Sequence, residues 1–352
     1  MIVLGIETSC DETAAAVVRD GHELLSNVVA SSMDIHVQYG GVVPEIAARS
    51  HIEVITPVIQ QALDEANCTW DDIDAIAVTY GAGLSGSLLV GVMTARTLAI
   101  AHDKPLYACN HVEGHVYANF LTDTSLPDYS LRSAQPGFPM LAIIVSGGHS
   151  QLALFRDHFD YELLGRTQDD AIGEAFDKVA KITGLPYPGG PSVEKAAASG
   201  DPHAIKLPKA KVGKYDFSFS GLKTAVLRQA QALIGEDYTF PSFKLAERLS
   251  EAQKNDIAAS FCRVACETIV DKAVLACEEF APKSVVIAGG VAASRELRKQ
   301  LTERLPLPIE FPAFKLCTDN GAMIATLGCF KAMRDQPTAD PLTLDIAPNL
   351  SM

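Results

Sequence analysis

The chain has 352 residues and a formal net charge of −14, with 48% of its residues hydrophobic and 20% charged. This composition indicates a globular protein with enough apolar material for one large or two ordinary domains. The acidic charge excludes nucleic-acid binding through bulk electrostatics alone, because such binding depends on Lys and Arg displacing counterions from phosphates, so any RNA contact has to be local or shared.

The cysteines and the first residues indicate a cytoplasmic protein. Eight cysteines are scattered without a CxxC pair, and the chain begins with the strand-like MIVLGI rather than with a charged region and an apolar one. A reducing compartment suits such a sequence.

Residues 4–18 predict the first element, a β-hairpin whose turn projects polar groups and free N–H donors. Asp11 and Glu12 lie in this turn and are expected to face a cleft. Turn carboxylates are usually turn formers. Beside a bound phosphate, however, a carboxylate is repelled and needs a metal, a proton or an amine nearby.

A helix at 44–67, a strand at 73–79 and a helix at 84–102 are expected next. The uncharged stretch from Ala75 to Ala95 is long enough to cross a membrane. The glycine-rich segment at 80–86 interrupts it, so we expect a strand, a turn and a buried helix instead.

A ridge of small residues recurs every four positions along that helix, at Gly83, Ser87, Gly91 and Ala95. Such a ridge lets a second helix approach closely. Internal packing is the default explanation, and docking against a partner's helix is the alternative.

The segment NHVEGHVYAN contains His111 and His115, which lie on one helix face and near enough to bind one ion. The spacing alone leaves two histidines bonded to backbone or solvent equally plausible. The metalloprotease motif HExxH is absent, because Glu113 falls two residues after the first histidine, about 200° round the helix. Asp319, which precedes a helical run from Ala322 to Met333, offers a third ligand, with helix capping as its alternative role.

A second hairpin at 142–155 resembles the first, and helices at 169–183 and 246–279 and a strand at 284–288 follow it. The two halves share one plan, which predicts an α/β protein of two hairpin-led lobes with a ligand in the cleft between them. We expect the N-terminal lobe at 1–121, with a helical segment 320–345 packing back on it, a connector at 122–139 and the C-terminal lobe at 140–319.

Glycine pairs stand at the ends of two predicted strands, in Val145-Ser-Gly-Gly-His149 and in Ala288-Gly-Gly-Val291. Both allow backbone N–H groups to approach an anion, although tight turns are the commoner use of such pairs. The P-loop pattern GxxxxGK[ST] is absent.

Asp177 and Glu194 are two acidic candidates near these turns. Asp177, in a helix we expect to be capped near Asp169, could accept hydrogen bonds from ribose hydroxyls or pair with Lys181. Glu194 could bind a ligand or serve as a first-turn acid.

One segment combines basic and aromatic residues: Lys206, Lys209, Lys211, Lys214, Tyr215, Phe217, Phe219 and Lys223. It could contact RNA phosphates and bases. The alternative is a solvated loop that leads into a core strand.

Taken together, these segments resemble the bacterial TsaD family, related to archaeal and eukaryotic Kae1. The matching motifs run in order through GIETSCDETAAAVV, YGGVVPEIAARSH, NHVEGHVYAN, VSGGHSQL, GEAFDKVAKITGLPYPGGPSVEKAA, FSFSGLKTAV, AGGVAASRELR and CTDNGAMIA, over nearly the whole chain. The resemblance implies an actin and sugar-kinase-like (ASKHA) two-lobe fold. It also implies transfer of a threonylcarbamoyl group from threonylcarbamoyl-AMP to N6 of adenosine 37, in tRNAs that read codons beginning with A.

The resemblance further implies roles for individual residues. His111, His115 and Asp319 would hold one divalent metal, iron(II) with zinc as the alternative, and Asp11 and Glu12 would lie near the reacting centre. The adenylate would be held by Val145, Ser146, Gly147, Gly148, Asp177, Gly190, Glu194, Gly289, Gly290 and Ser294. The family usually has Asn where this chain has Ser294, whose side chain reaches less far.

The partners implied are a smaller paralogous TsaB-like subunit, docked through N-terminal-lobe helices near the small-residue ridge, and a P-loop ATPase resembling TsaE. Sharing the tRNA with them would suit an acidic chain. The competing hypotheses are a metalloendopeptidase, a small-molecule kinase of the same fold and a non-catalytic nucleotide-binding scaffold.

Overall fold

The computed structural model describes all residues, Met1–Met352. The chain forms two compact units: unit 1 comprises Met1–Pro136 and Phe311–Met352, and unit 2 comprises Gly137–Glu310. The expected connector is thereby divided, with 122–136 in unit 1 and 137–139 in unit 2. Unit 2 ends at Glu310, nine residues before the boundary expected at 319.

The strands and helices have the following bounds. The strands are β1 (Ile2–Glu7), β2 (Glu12–Arg19), β3 (Glu23–Ser31), β4 (Ala75–Gly81), β5 (Leu106–Asn110), β6 (Asp123–Thr124), β7 (Met140–Val145), β8 (Ser150–Asp157), β9 (Asp160–Arg166) and β10 (Ser284–Ala288). The α-helices are α1 (Met33–Val37), α2 (Pro44–Glu65), α3 (Ser85–Ala101), α4 (His111–Tyr117), α5 (Ile172–Thr183), α6 (Gly189–Ala197), α7 (Ser220–Leu233), α8 (Leu245–Arg248), α9 (Glu251–Phe280), α10 (Arg295–Arg304) and α11 (Gly321–Met333).

The sheet of unit 1 has the order β5-β4-β1-β2-β3-β6. Strands β1, β2 and β3 form an antiparallel meander, and β4 and β5 continue it as parallel strands on the other side of β1. Leu4 and Ile6 of β1 share one core with α2 and α3. Because neighbouring strand residues point to opposite faces, Val3 and Gly5 face the other side, which α11 covers.

The contact between α11 and the sheet is a close backbone approach. A Cβ atom at Gly5 would overlap the backbone of Gly321 and Ala325. Only glycine at position 5 lets the helix lie this near β1. The approach matters for the site, because Asp319 directly precedes α11.

The sheet of unit 2 repeats the plan with fewer strands, in the order β10-β7-β8-β9. Strands β7 to β9 form an antiparallel meander, and β10 lies parallel to β7 as β4 does to β1. The predicted duplication of a hairpin-led α/β unit is therefore confirmed.

Two helix predictions in unit 2 need correction. The single helix expected at 246–279 is two helices, α8 and α9, because Ser250 starts a new helix through a capping box with Gln253. Asp169 does not cap α5, whose N-cap is Ala171. It instead accepts hydrogen bonds from the hydroxyl of Ser218 (2.5 Å) and the backbone N–H of Phe219 (2.8 Å).

The strand, turn and helix expected at 75–95 are confirmed as β4, a turn and α3. No helix of the chain has the length and apolarity that crossing a membrane requires. The small-residue ridge faces inward, because Ser87, Gly91 and Ala95 are buried and a Cβ atom at Gly91 would overlap the side chain of Thr8. Internal packing is thus the correct explanation of the ridge, and it offers no docking surface.

The basic and aromatic segment leads into the core of unit 2. Tyr215, Phe217 and Phe219 are buried, so their rings are not available to stack on bases. Lys209 pairs with Asp271 at 2.6 Å, and Lys214 pairs with Glu279. The structure therefore favours the alternative of a loop that leads into the core over the RNA-contact hypothesis.

The last residues of the chain are fastened to unit 1. The guanidinium of Arg96 in α3 donates hydrogen bonds to the carbonyls of Pro341, Leu342 and Leu344. Further on, Asn110 donates from Nδ2 to the carbonyl of Ser351 at 3.1 Å. The segment 341–352 is thus part of the framework of unit 1.

Candidate metal centre and glycine-rich turns

The first hairpin turn, between β1 and β2, is fixed by neighbouring helices. Thr8 donates a hydrogen bond from Oγ1 to the carbonyl of Ser87 (2.9 Å), and the Ser87 hydroxyl donates to the carbonyl of Cys10 (3.0 Å). The Ser32 hydroxyl donates to the carbonyl of Asp11 at 2.8 Å. The turn therefore presents Asp11 and Glu12 from a rigid position.

Two helix caps place the three candidate metal ligands. The side chain of Asn110 accepts hydrogen bonds from Val112 and Glu113 N–H groups and starts α4 at His111, so that His115 follows one turn later. Asn320, rather than Asp319, caps α11. The Asp319 carboxylate lies beside both imidazoles.

The structure brings His111, His115 and Asp319 together, with one ligand atom of each within 4.8 Å of the others. Oδ1 of Asp319 lies 3.6 Å from Nε2 of His111 and 3.2 Å from Nε2 of His115. The ring of His115 is buried and neither of its nitrogens makes a hydrogen bond. A buried Nε2 that faces Asp319 without a hydrogen bond fits a nitrogen that serves as a metal ligand.

The electrostatics of this cluster also fit a cation. Burial and the charges of Asp319 and Asp11 raise the pKa of Glu12 to about 9. Burial by itself would lower the pKa of His111, but the carboxylates of Asp319 and Glu7 raise it to about 9. Negative charge thus accumulates around two imidazoles, a setting in which a divalent cation replaces the bound protons.

Glu113 lies outside this cluster. It is buried, and burial raises its pKa while Lys331 opposes the shift. It does not contribute to the group of possible ligands. Glu113 is therefore a buried acid beside the candidate metal centre and not one of its ligands.

Two glycine-rich turns and the start of α5 come together in unit 2. The turn 145–149 closes through a hydrogen bond from the backbone N–H of Ser146 to the carbonyl of His149 (2.8 Å). A Cβ atom at Gly289 would overlap the carbonyl of Val145, and one at Gly173 would overlap that of Ser146. The turn after β10 and the start of α5 therefore pack directly on the first turn.

The outer faces of these turns are open. A Cβ atom would meet nothing within 4 Å at Gly147, Gly148 and Gly290 of these turns, or at Gly190 in the first turn of α6. Their backbone can therefore be approached closely by a ligand, which is the property that an anion-binding turn requires.

Asp177 and Glu194 do not have the purely structural roles that were the alternatives to ligand binding. Oδ1 of Asp177 accepts a hydrogen bond from the N–H of Gly189 at 2.7 Å rather than pairing with Lys181, and burial raises its pKa. Glu194 is the sixth residue of α6 and not a first-turn acid. Its Oε2 accepts from the N–H of Arg295 at 3.3 Å, while its buried Oε1 makes no hydrogen bond.

A cavity of about 540 Å³ lies beside Glu194, within unit 2. Lys195, Cys262, Arg295 and Glu296 also line it. Its volume is in the range of small-molecule sites. Ser294 is buried next to it and accepts a hydrogen bond from the N–H of Leu297 at 3.2 Å, so its hydroxyl serves first as the N-cap of α10.

Sequence reasoning missed Glu7 and Ser9, which lie against Nδ1 of His111, and Thr79, whose hydroxyl donates a hydrogen bond to Glu7. The Ser9 hydroxyl lies 3.0 Å from Nδ1 of His111, and Oε2 of Glu7 lies 3.2 Å from it. The available signal was an acidic residue at the end of an otherwise apolar strand, IVLGIE.

The two hairpin-led sheets, the three-ligand cluster and the open glycine turns define a protein of the ASKHA fold class. The chain belongs to the TsaD family, the tRNA N6-adenosine threonylcarbamoyltransferases, whose family model matches residues 23–326. The enzyme of that name from Thermomicrobium roseum is 50% identical over 342 residues, covering 95% of this chain and 93% of the relative. The one from Symbiobacterium thermophilum is 50% identical over 333 residues, covering 94% and 91%.

The fold is also similar to a solved structure of low sequence identity. Component A of the (R)-2-hydroxyglutaryl-CoA dehydratase of Acidaminococcus fermentans superimposes with a TM-score of 0.52 at 16% identity, covering 95% of this chain and 99% of that one. The predicted ASKHA fold class is confirmed. The peptidase and small-molecule kinase hypotheses are not favoured.

The open turn at Gly147 gives a first testable expectation. In Gly147→Leu, the new side chain would occupy the space in front of the turn, so binding of AMP should weaken by roughly tenfold while the thermal unfolding midpoint stays unchanged. Calorimetric titration with AMP measures the effect. Gly221→Leu is the matched control, because Gly221 is equally open but lies in the first turn of α7. Equal binding by both variants would exclude this turn from the site.

Proposed function

We propose that the chain transfers the threonylcarbamoyl group from threonylcarbamoyl-AMP to N6 of adenosine 37 in tRNAs that read codons beginning with A. Membership of a family whose members carry the name tRNA N6-adenosine threonylcarbamoyltransferase supports the reaction class. The cluster of His111, His115 and Asp319 is the structural observation that carries the proposal.

Unit 2 would bind the adenylate. The N–H groups of the turns at 145–148 and 289–290 suit its phosphate. Asp177 and the open backbone at Gly190 suit the ribose, and the unpartnered Oε1 of Glu194 is an acceptor for the base or ribose. Ser294 would add little, because its hydroxyl is engaged as a helix cap.

His111, His115 and Asp319 would hold the metal through two ring nitrogens and a carboxylate oxygen. We propose iron(II), with zinc as the alternative. When bound, such an ion supplies a Lewis acid that neutralises phosphate charge and polarises an acyl oxygen.

The reaction needs a proton acceptor, because an exocyclic amine is a weak nucleophile. N6 forms the new bond to the carbonyl carbon, the bond from that carbon to the phosphate oxygen of AMP breaks, and N6 gives up a proton. Oδ2 of Asp11 is buried without a hydrogen-bond partner and would take this proton. Glu12, the next residue of the chain, would also lie near the reacting centre.

We propose that the chain works in the cytoplasm with tRNA, a TsaB-like subunit and a TsaE-like ATPase. Exposed apolar side chains on α2 and α3 suit a docked subunit: Ile52 (66% exposed), Leu89 (47%), Met93 (46%) and Ile100 (55%). Leu89, Met93 and Ile100 recur at helical spacing on the outer side of α3, opposite the buried ridge.

Charges introduced on the outer side of α3 should weaken its association with the TsaB-like subunit. In Leu89→Glu/Met93→Glu, association with the TsaB-like subunit should weaken by about a hundredfold, because two apolar anchors become charged. Analytical ultracentrifugation of the mixed proteins measures this. Leu233→Glu replaces a leucine of unit 2 that is 40% exposed and serves as control. Unchanged association of the double variant would exclude this face.

Reconstitution tests the proposed function as a whole. The chain is incubated with both partners, threonylcarbamoyl-AMP and unmodified tRNA, and the digested tRNA is examined by mass spectrometry for threonylcarbamoyladenosine. The proposal predicts one modified adenosine per tRNA, dependent on this chain. Phosphorylation of a small molecule, or unmodified tRNA under all conditions, would contradict it.

A further inference from the structure

Glu7, the last residue of β1, is a fully buried carboxylate behind the candidate metal ligands. Its Oε1 accepts a hydrogen bond from the backbone N–H of Ser9 at 2.5 Å, and its Oε2 accepts one from the Thr79 hydroxyl at 2.5 Å. Oε2 also lies 3.2 Å from Nδ1 of His111. A buried carboxylate is tolerated only when it is surrounded by such donors.

The chemistry of the contact decides where the proton lies. An ionised carboxylate only accepts hydrogen bonds, so the proton between Glu7 and His111 belongs to Nδ1 of the ring. Nε2 is then the nitrogen that is turned toward Asp319 and His115. A ligating histidine commonly donates its second N–H to a carboxylate, which fixes the ring and increases the basicity of the ligating nitrogen.

Ser9 cannot fix the ring in the same way. Its hydroxyl lies 3.0 Å from Nδ1 of His111, but a hydroxyl both donates and accepts and so fits a ring with or without a proton on Nδ1. Of these two neighbours, only Glu7 requires the proton of the His111 ring to be on Nδ1.

We propose that Glu7 is a positioning residue that holds the His111 ring with its proton on Nδ1 and presents Nε2 to the metal. Thr79 and the backbone of Ser9 hold Glu7 in turn, so the orientation of the ligand depends on β1 and β4. The inference rests on the metal centre of the proposed function, and its test has one measurement that needs no metal.

Zinc affinity is the first measurement, made by chelator competition on the full chain. The amide of Glu7→Gln places an NH₂ group against one of the donors that now face the carboxylate, so affinity should fall about 10- to 100-fold. Glu113→Gln is the control, because it makes the same change at a buried acid of α4 outside the cluster and should keep the wild-type affinity. Equal affinities of Glu7→Gln and the wild type would overturn the proposal.

The second measurement is the slowly exchanging downfield proton of His111 Nδ1 in ¹⁵N-histidine-labelled protein, assigned by its loss in His111→Ala. We expect this resonance in the wild type with and without zinc and its loss in Glu7→Gln, and its persistence there would overturn the proposal. If the wild type bound no zinc, the proposed metal centre would be wrong. The Nδ1 resonance would still test whether Glu7 holds the His111 ring. If Glu7→Gln did not fold, Thr79→Val would replace it, with weakened zinc binding expected and unchanged binding overturning the proposal.

Discussion

Replacing His115 by alanine should remove the metal and almost all tRNA modification. His115 is buried, and its ring nitrogens make no hydrogen bonds that would compete with ligation. If the ion stabilises the transition state by several kcal/mol, its loss lowers the modification rate by roughly 10³-fold. Metal content by mass spectrometry and the reconstituted tRNA assay measure the two effects.

His22→Ala provides the control for this expectation. His22 is a partly exposed histidine of unit 1, and its Nδ1 lies 3.1 Å from the carbonyl oxygen of Asp20 in the turn between β2 and β3. The His22→Ala variant should keep the metal and the wild-type tRNA modification rate. A full equivalent of metal and wild-type modification in His115→Ala would show that the cluster is a hydrogen-bonded group and not a metal centre.

The second large effect is expected at Asp11. Asp11→Asn keeps the shape of the side chain but removes its ability to take a proton from N6, so kcat should fall by about 10²- to 10³-fold with little change in KM for the adenylate. Single-turnover kinetics with preformed threonylcarbamoyl-AMP measure the chemical step.

Asp34→Asn is the matched control for Asp11, since it makes the same change in charge at an exposed acid of α1. A variant Asp11→Asn that kept wild-type kcat would assign the proton to another acceptor. A rise in KM with unchanged kcat would instead make Asp11 a binding group.

The fold was predictable because its signals are local. Each hairpin shows apolar strands around a polar turn, and the recurrence of that pattern at 4–18 and 142–155 indicated two similar units. The break between α8 and α9 was missed even though Ser250 and Gln253 form a recognisable capping pair, because the apolar pattern continues on both sides.

The site was predictable only where it combines residues of recognisable type. Two histidines four apart and an acid before a helix suggested one cluster, and the structure brings them within 4.8 Å. Glu7 could not be found in this way, because its role depends on β1 lying beside the start of α4, which no spacing in the sequence records. The aromatic residues at 215–219 left RNA contact and a loop leading into the core both open, since burial decides whether a ring can meet a base and the sequence does not record it.

Unit 1 is assembled from the two ends of the chain, whereas unit 2 is one continuous stretch. During synthesis the first 136 residues therefore leave the ribosome without α11, the helix that covers one face of their sheet. Unit 2 can complete its core while that face of the unit 1 sheet is still uncovered. The third metal ligand, Asp319, arrives after nine-tenths of the polypeptide has been made, so a nascent or prematurely terminated chain presents two histidines but cannot form the full centre.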